Sequence, residues 1–385
     1  MLLITVVTVS FLRLMVADQQ QASNNDLSQS AYDSAQAGVE DAKRALLKYK
    51  SDCIASPGTC ASYANALTTD ECNAALTGIS GNGAVGSNGQ TKEILVQQSQ
   101  SGNDTDLNQA YTCVTIALET KEYLGNATAN QSQLVPLMSS GGFDRVKVDW
   151  FSREDVTSDA VSLSGVGGSG QPLYSQSQWP LNRPSLMRAQ LIQFAGTFTE
   201  AGFDTVSGDT SNAATMFLYP TSQQNIPERA MTDYDQRKTS PTDNPNPKDA
   251  LTTPTAVSCK PSLGSGGYAC SSTLVLPRAI GASSINDRTA FLRLTPFYNS
   301  THFRVTLWNG PISTASSPVL FKDVQPVIDS TGRANDLFRR VQSSVNLYDT
   351  TFPYPEAAID LTGNFCKDFS VTDTAYIAGS TVCTP

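Results

Sequence analysis

A single histidine, His302, serves the whole 385-residue chain, and that count limits the available chemistry. A zinc site built from two or three imidazoles of one chain is excluded. A Ser-His-Asp or Cys-His unit would have to use His302 itself. His302 lies between Thr301 and Phe303 in a strand-like run, with no G-x-S-x-G elbow in the sequence to partner it. The expected role is a strand histidine satisfied by a backbone carbonyl. Gly165, Gly167 and Gly170 satisfy G-x-G-x-x-G, but Gln171-Pro172-Leu173-Tyr174 follows and opens a helix poorly. A pyrophosphate would then find no helix N-terminus, so a flexible loop is expected. Asp104-Thr105-Asp106-Leu107-Asn108 imitates the start of a calcium loop, but Gln109 stands where Gly is required and Thr115 where a bidentate Glu is required. Arg333, Arg339 and Arg340 form either an anion site or an offset to an acidic head. Trp150, Trp179 and Trp308 could present a carbohydrate-binding surface; with aromatics at 8%, core packing is the expectation for most of them. No catalytic residue, cofactor or metal ligand is assigned, and the chain is read as non-enzymatic. A secreted hydrolase centred on His302 is the contrary reading.

Eight cysteines are present: Cys53, Cys60, Cys72, Cys113, Cys259, Cys270, Cys366 and Cys383. None forms C-x-x-C, so zinc-ribbon and thioredoxin-type readings lose their signature. Structural disulfides outside the cytoplasm are expected, with buried free thiols as the alternative. Eight cysteines allow 105 pairings; nearest-neighbour pairing, with Cys72 bonded to Cys113, is the working assignment. Charged residues are only 16%, with Ser, Thr, Asn, Gln and Gly filling the deficit, as in secreted β-rich proteins. The net charge of −9 argues against a chain built to coat nucleic acid.

Two N-terminal segments must position whatever follows. Residues 1–17, MLLITVVTVSFLRLMVA, are apolar except for Thr5, Thr8, Ser10 and Arg13. At 1.5 Å per residue the run reaches roughly 25 Å, a little short of a bilayer span, with Arg13 placed to snorkel. From Asp18 to Lys50 there is no proline and one glycine, Gly38. Leu27, Ala31, Ala35, Val39, Ala42, Leu46 and Tyr49 recur at three- and four-residue spacing and share one helical face. Glu40 and Arg44 form a favourable i,i+4 pair. One continuous helix over residues 2–50 is expected, inserted in the membrane at one end and packed by its small-residue face on a head domain at the other. A short anchor followed by an independent helical linker is the alternative.

This layout resembles type IV pilin-like proteins, most closely the PilX-type minor pilins. The matching residues are Arg13, Gln19 to Gln21, and Ala31-Tyr32-Asp33-Ser34-Ala35-Gln36-Ala37-Gly38-Val39-Glu40-Asp41-Ala42. Two head segments look similar as well: Tyr111 to Ile116, and Ser330-Thr331-Gly332-Arg333-Ala334 followed by Arg339-Arg340-Val341, read as a turn leading into a late strand. The resemblance covers roughly the first 50 residues well and the rest in patches. The family's leader ends in Gly, followed by Phe, with Glu as the fifth mature residue; these residues lack that signature, leaving an upstream basic leader or another mode of anchoring.

After Lys50 helical periodicity gives way to short alternating runs. Strands are expected at 93–97, 111–118, 145–150, 186–194, 214–218, 272–276, 290–294, 303–308, 324–329 and 338–347. Pro326 demotes its run to a sheet edge. Residues 80–89, 162–170 and 240–254 read as loops, the last as a possible subdomain break. The expected class is α+β: a transmembrane segment at 1–17, its amphipathic continuation at 18–50, a disulfide-stapled, mainly antiparallel β-rich head at 51–348, and a tail at 349–385 held by Cys366–Cys383. The packing face comprises Leu27, Ala31, Ala35, Gly38, Val39, Ala42 and Leu46. The resemblance implies a minor-pilin-like subunit of a surface filament or fimbrium, acting in assembly, tip priming or adhesion. Its expected partners are other pilin subunits, the membrane and a host or neighbouring-cell surface, with no nucleic acid. A membrane-tethered monomeric adhesin or carbohydrate-binding protein is the alternative.

Overall fold

A computed structural model describes residues 2–55, 67, 71–74, 76, 93–96, 109–163, 179–193, 212–223, 226, 228–233, 235, 254–264, 266–281, 290–313 and 316–348; side chains of 1–7 and 53–55 are outside this set. The chain divides into Met1–Thr350 and Thr351–Pro385, and the second unit lies outside the described residues. So do the glycine motif at 165–170, the calcium-like run at 104–108, the loops at 80–89 and 240–253, and the Cys366–Cys383 pair.

The first unit opens with one unbroken helix, α1 (Leu2–Ala55). Among the described residues fourteen strands follow: β1 (Ile94–Leu95), β2 (Gln109–Thr120), β3 (Tyr123–Ala127), β4 (Gln133–Pro136), β5 (Phe143–Ser152), β6 (Leu186–Gln193), β7 (Ala213–Thr221), β8 (Arg229–Ala230), β9 (Thr255–Cys259), β10 (Tyr268–Ile280), β11 (Ala290–Phe297), β12 (Thr301–Trp308), β13 (Phe321–Ala334) and β14 (Leu337–Ser344). They make two sheets. The smaller runs β1-β2-β13-β14, antiparallel throughout. The larger runs β3-β12-β5-β10-β9-β7-β6-β11-β4, with β8 added beside β10. Its end strands β3 and β4 are consecutive in sequence and come back beside each other, with Gln133 Nε2 donating to the Tyr123 hydroxyl at 3.5 Å, so the sheet is nearly closed like a barrel.

The barrel interior follows the two-residue alternation of its strands. Val146, Val148 and Trp150 of β5, Met187, Ala189 and Leu191 of β6, and Phe303, Val305 and Leu307 of β12 all point inward and are buried. A second, separate core lies under α1, formed by Val39, Ala42, Leu46 and Tyr49 against Val114, Ile116 and Ile328.

The architecture is therefore mainly β with one N-terminal helix, which overturns the α+β expectation. The membrane-inserted half falls with it, because no helix among the described residues is long and apolar enough to cross a membrane. Among the described side chains, which begin at Thr8, the apolar run reaches only to Ala17, is interrupted by Arg13 and is followed by Asp18 and Gln19 to Gln21. Pro326 also differs from expectation. β13 is central, between β2 and β14, yet it keeps its proline because the β2 register shifts between Lys322 and Val327 and Asp323 takes a φ of 58°. That bulge removes the ladder bond a proline could not donate. The residues from Ser330 to Ala334 are strand rather than turn; the turn is Asn335-Asp336, with Asn335 at φ 50°.

Candidate functional site

The element with a surface to offer is α1, and its two halves differ in what surrounds them. From Thr8 to Asp26 every residue is exposed. Val9, Phe11, Leu12, Leu14, Met15 and Val16 are 52–66% exposed. At 100° per residue these six positions span roughly 220° of the helix, with Ser10, Arg13 and Ala17 on the remaining side, so the exposed apolar surface is far wider than one stripe. Burial begins at Leu27, half-buried, and the structure seats Ala31, Ala35, Gly38, Val39, Ala42 and Leu46 against the small sheet. Tyr49, Ala45 and Ser34 are buried beside them.

Small residues set how close the helix comes. Gly38 rests on Ser330, Val114 and Tyr111: a Cβ there would lie 2.9 Å from Val114 Cγ2 and nearer still to Ser330 Oγ. Gly332 of β13 is tighter. Its Cβ would fall 2.8 Å from Ala35 Cα and closer to the Ala31 carbonyl and the Ala35 nitrogen, all helix backbone. The helix therefore lies backbone-on-backbone at this crossing.

Polar contacts flank the apolar seat. The Tyr111 hydroxyl donates to Asp41 at 2.7 Å, and the Tyr49 hydroxyl donates to Asp323 at 3.3 Å. Lys50 donates to the Leu347 carbonyl and lies 4.8 Å above the Tyr348 ring. Arg339 donates to Ser28 Oγ from Nε at 2.8 Å. The i,i+4 pair expected of Glu40 and Arg44 is replaced by two i,i+3 pairs, Lys43–Glu40 at 2.7 Å and Arg44–Asp41 at 3.2 Å. Asp41 is thereby held where Tyr111 reaches it.

Burial, reinforced by Asp323, pushes the Tyr49 phenol up to about 12; burial and the bond to Asp41 push Tyr111 up further. Both raised groups contribute stability that is complete below the ordinary tyrosine value near 10 and is lost as pH rises toward the folded value. We expect the melting temperature of the wild type to fall between about pH 10 and 12. A Tyr49→Phe/Tyr111→Phe double variant should show a shallower fall, and parallel curves for the two proteins would remove these hydroxyls from the joint.

The other sequence candidates are engaged within the fold. His302 does not use a backbone carbonyl: its Nδ1 is 2.7 Å from Asp155 Oδ1 and its Nε2 is 3.1 Å from Glu154 Oε2, while its backbone N–H donates to both Asp155 oxygens. Ser152 caps this 3-10 turn of Arg153–Asp155, and the imidazole ties the turn to β12. A general base needs one ring nitrogen facing a nucleophile; here both face carboxylates. The three arginines are each engaged: Arg333 is bidentate on Glu93, Arg340 is bidentate on Asp329, and Arg339 bonds Ser28. Trp150 is fully buried in the barrel and donates to the Ser185 carbonyl at 3.1 Å. Trp179 is 6% exposed, and Trp308 donates to Thr306 Oγ1 at 2.9 Å. No cluster of metal-ligating side chains occurs among the described residues.

Two disulfides are formed among the described residues. Cys72–Cys113 pins residues 71–74 to β2, where Asn73 imitates a strand neighbour by exchanging bonds with Val114 and donating to the Thr112 carbonyl. Cys259–Cys270 joins directly paired residues of β9 and β10. Cys60 and the side chain of Cys53 lie outside the described residues. Gly332 and Asn73 are the seat residues that sequence reading did not single out. A glycine inside a strand pattern was the available signal for the first; nothing local marked the second. Set against known protein families, characterised proteins and solved structures, the chain finds no match.

Proposed function

We propose that this chain is a structural, non-catalytic subunit of a surface filament of the minor-pilin kind, assembled through the exposed half of α1. The carrying observation is the division of one helix into a buried half and a half whose large apolar side chains, Phe11, Leu12, Leu14 and Met15 among them, stand in solvent over more than half of its circumference. Burying each such side chain contributes about 1.5–3 kcal/mol. An apolar surface this wide is covered best by more than one helix, so the reading is a bundle of neighbouring subunits rather than a one-sided pair. The head then occupies the filament surface, held at fixed height by the backbone contact at Gly332. The pilin-like pattern from Ala31 to Ala42 and the disulfide staples of an oxidising compartment agree with it.

The test is a Phe11→Ser/Leu14→Ser/Met15→Ser variant of the full chain. These side chains are 61–66% exposed, so the head should melt as in the wild type. Association of the full chain, with itself or with other helix-bearing subunits, followed by sedimentation and crosslinking in the producing cell, should weaken more than tenfold. Wild-type association by the variant would overturn the reading.

A further inference from the structure

At one end of the barrel the outward face of β6, β7 and β11 changes from polar to aromatic. Leu186 pairs with Phe297 in register, and Arg188 pairs with Phe217 on one side and Thr295 on the other. Two turns close over this patch, one carrying Asn130 and the other Tyr298, joined by the Asn130 N–H donating to the Pro296 carbonyl at 2.7 Å. Asn130, Leu186, Phe217, Phe297 and Tyr298 line an open cavity of about 340 Å³.

Several features hold this cavity in shape. Tyr298 adopts φ 76°, a left-handed conformation that is costly for a bulky residue and clusters at binding sites. Its ring lies flat on Trp179, centroids 4.2 Å apart and planes 11° from parallel. Trp179 in turn meets Tyr219 edge-on, and the fully buried Arg183 places its guanidinium 4.9 Å from the indole while donating to the Tyr219 hydroxyl at 3.0 Å. The Asn299 side-chain amide fixes the turn by donating to the carbonyls of Pro180, Leu181 and Arg183. Trp179 is thus a backing layer, and the lining is formed by Phe217, Phe297 and Tyr298.

We propose that this cavity binds a neutral saccharide. A pyranose has a flat face of polarised C–H groups, which the electron-rich face of an aromatic ring attracts, and an edge of hydroxyls that needs polar partners. The cavity supplies both: aromatic rings in its floor and the exposed Asn130 amide at its rim. The described lining residues carry no formal charge, and Arg188 beside them lies over the Phe297 ring, 5.4 Å from its centroid, and donates to Thr295 Oγ1 at 3.3 Å. The volume is at the lower end of small-ligand sites, suited to one or two hexose rings, whereas a proline-rich peptide would require an extended groove. This site is independent of the helix assembly proposed above.

The experiment uses the full chain in mild detergent. Methyl glycosides of glucose, galactose, mannose and N-acetylglucosamine, together with lactose and maltose, are tested by saturation-transfer NMR and tyrosine fluorescence. At least one should bind at millimolar concentration. Phe297→Ala, which removes a floor ring, should weaken that binding about tenfold. Asn130→Gly, which keeps the left-handed backbone and deletes only the amide, should weaken it several-fold with an unchanged melting temperature. The Phe11→Ser/Leu14→Ser/Met15→Ser variant should bind as the wild type does. No binding by any of these sugars to the folded chain would overturn the proposal. So would binding indifferent to both cavity variants, or capture of a proline-rich peptide in place of sugar.

Discussion

Gly332→Ala should detach α1 from its sheet at a cost of about 3 kcal/mol, the upper end of ordinary overpacking. The single methyl group has nowhere to go. Its neighbours are the Ala31 carbonyl, the Ala35 nitrogen and the Ala35 Cα, so no side-chain rotation on the helix can make room. Gly332 also pairs with Tyr111 on one side and Arg339 on the other, which fixes it laterally. The comparison that isolates this cause is Gly38→Ala. There the nearest atoms belong to Ser330, Val114 and Tyr111 side chains, which can give way, and the loss should be smaller. Urea unfolding of both variants, read by helical circular dichroism, measures the difference. Equal midpoints for Gly332→Ala and wild type would mean that helix and sheet do not meet at this distance.

Removing the Cys72–Cys113 bond in a Cys72→Ala/Cys113→Ala variant should cost about 4 kcal/mol, the chain-entropy value for a loop of this size. The bond spans 41 positions, and Asn73 bonds β2 beside it. Cys259–Cys270 spans 11 positions, so its removal should cost about 3 kcal/mol on the same relation. Both losses are read from denaturation midpoints. An order reversed between the two variants would show that native-state packing, rather than the freedom of the unfolded chain, governs these bonds.

Sequence alone determined the local features. The three- and four-residue recurrence from Leu27 to Tyr49 already defined one helical face, because that periodicity is a property of the helix itself. Alternation marked strands such as Phe303–Trp308 for the same reason, and a lone histidine limited the catalytic options before any fold was considered. The cysteine count and spacing pointed to an oxidised protein.

Tertiary structure decided what depends on residues far apart in the chain. Closure of the large sheet rests on β3 and β4 meeting at its two ends, and no local pattern encodes that return. The short strands at 123–127, 133–136, 229–230 and 255–259 were invisible because each is completed by partners remote in sequence. Pro326 could sit in a central strand only because a bulge against β2 excused its missing donor. Among the described residues no stretch of α1 is long and apolar enough to be a span, although the composition of residues 1–17 suggested one. The aromatic cavity likewise joins β6, β7, β11 and two separate turns, so its members carry no shared spacing. Periodicity reports one element's own geometry, whereas sites and sheet closure report distances between elements, and those are set by packing.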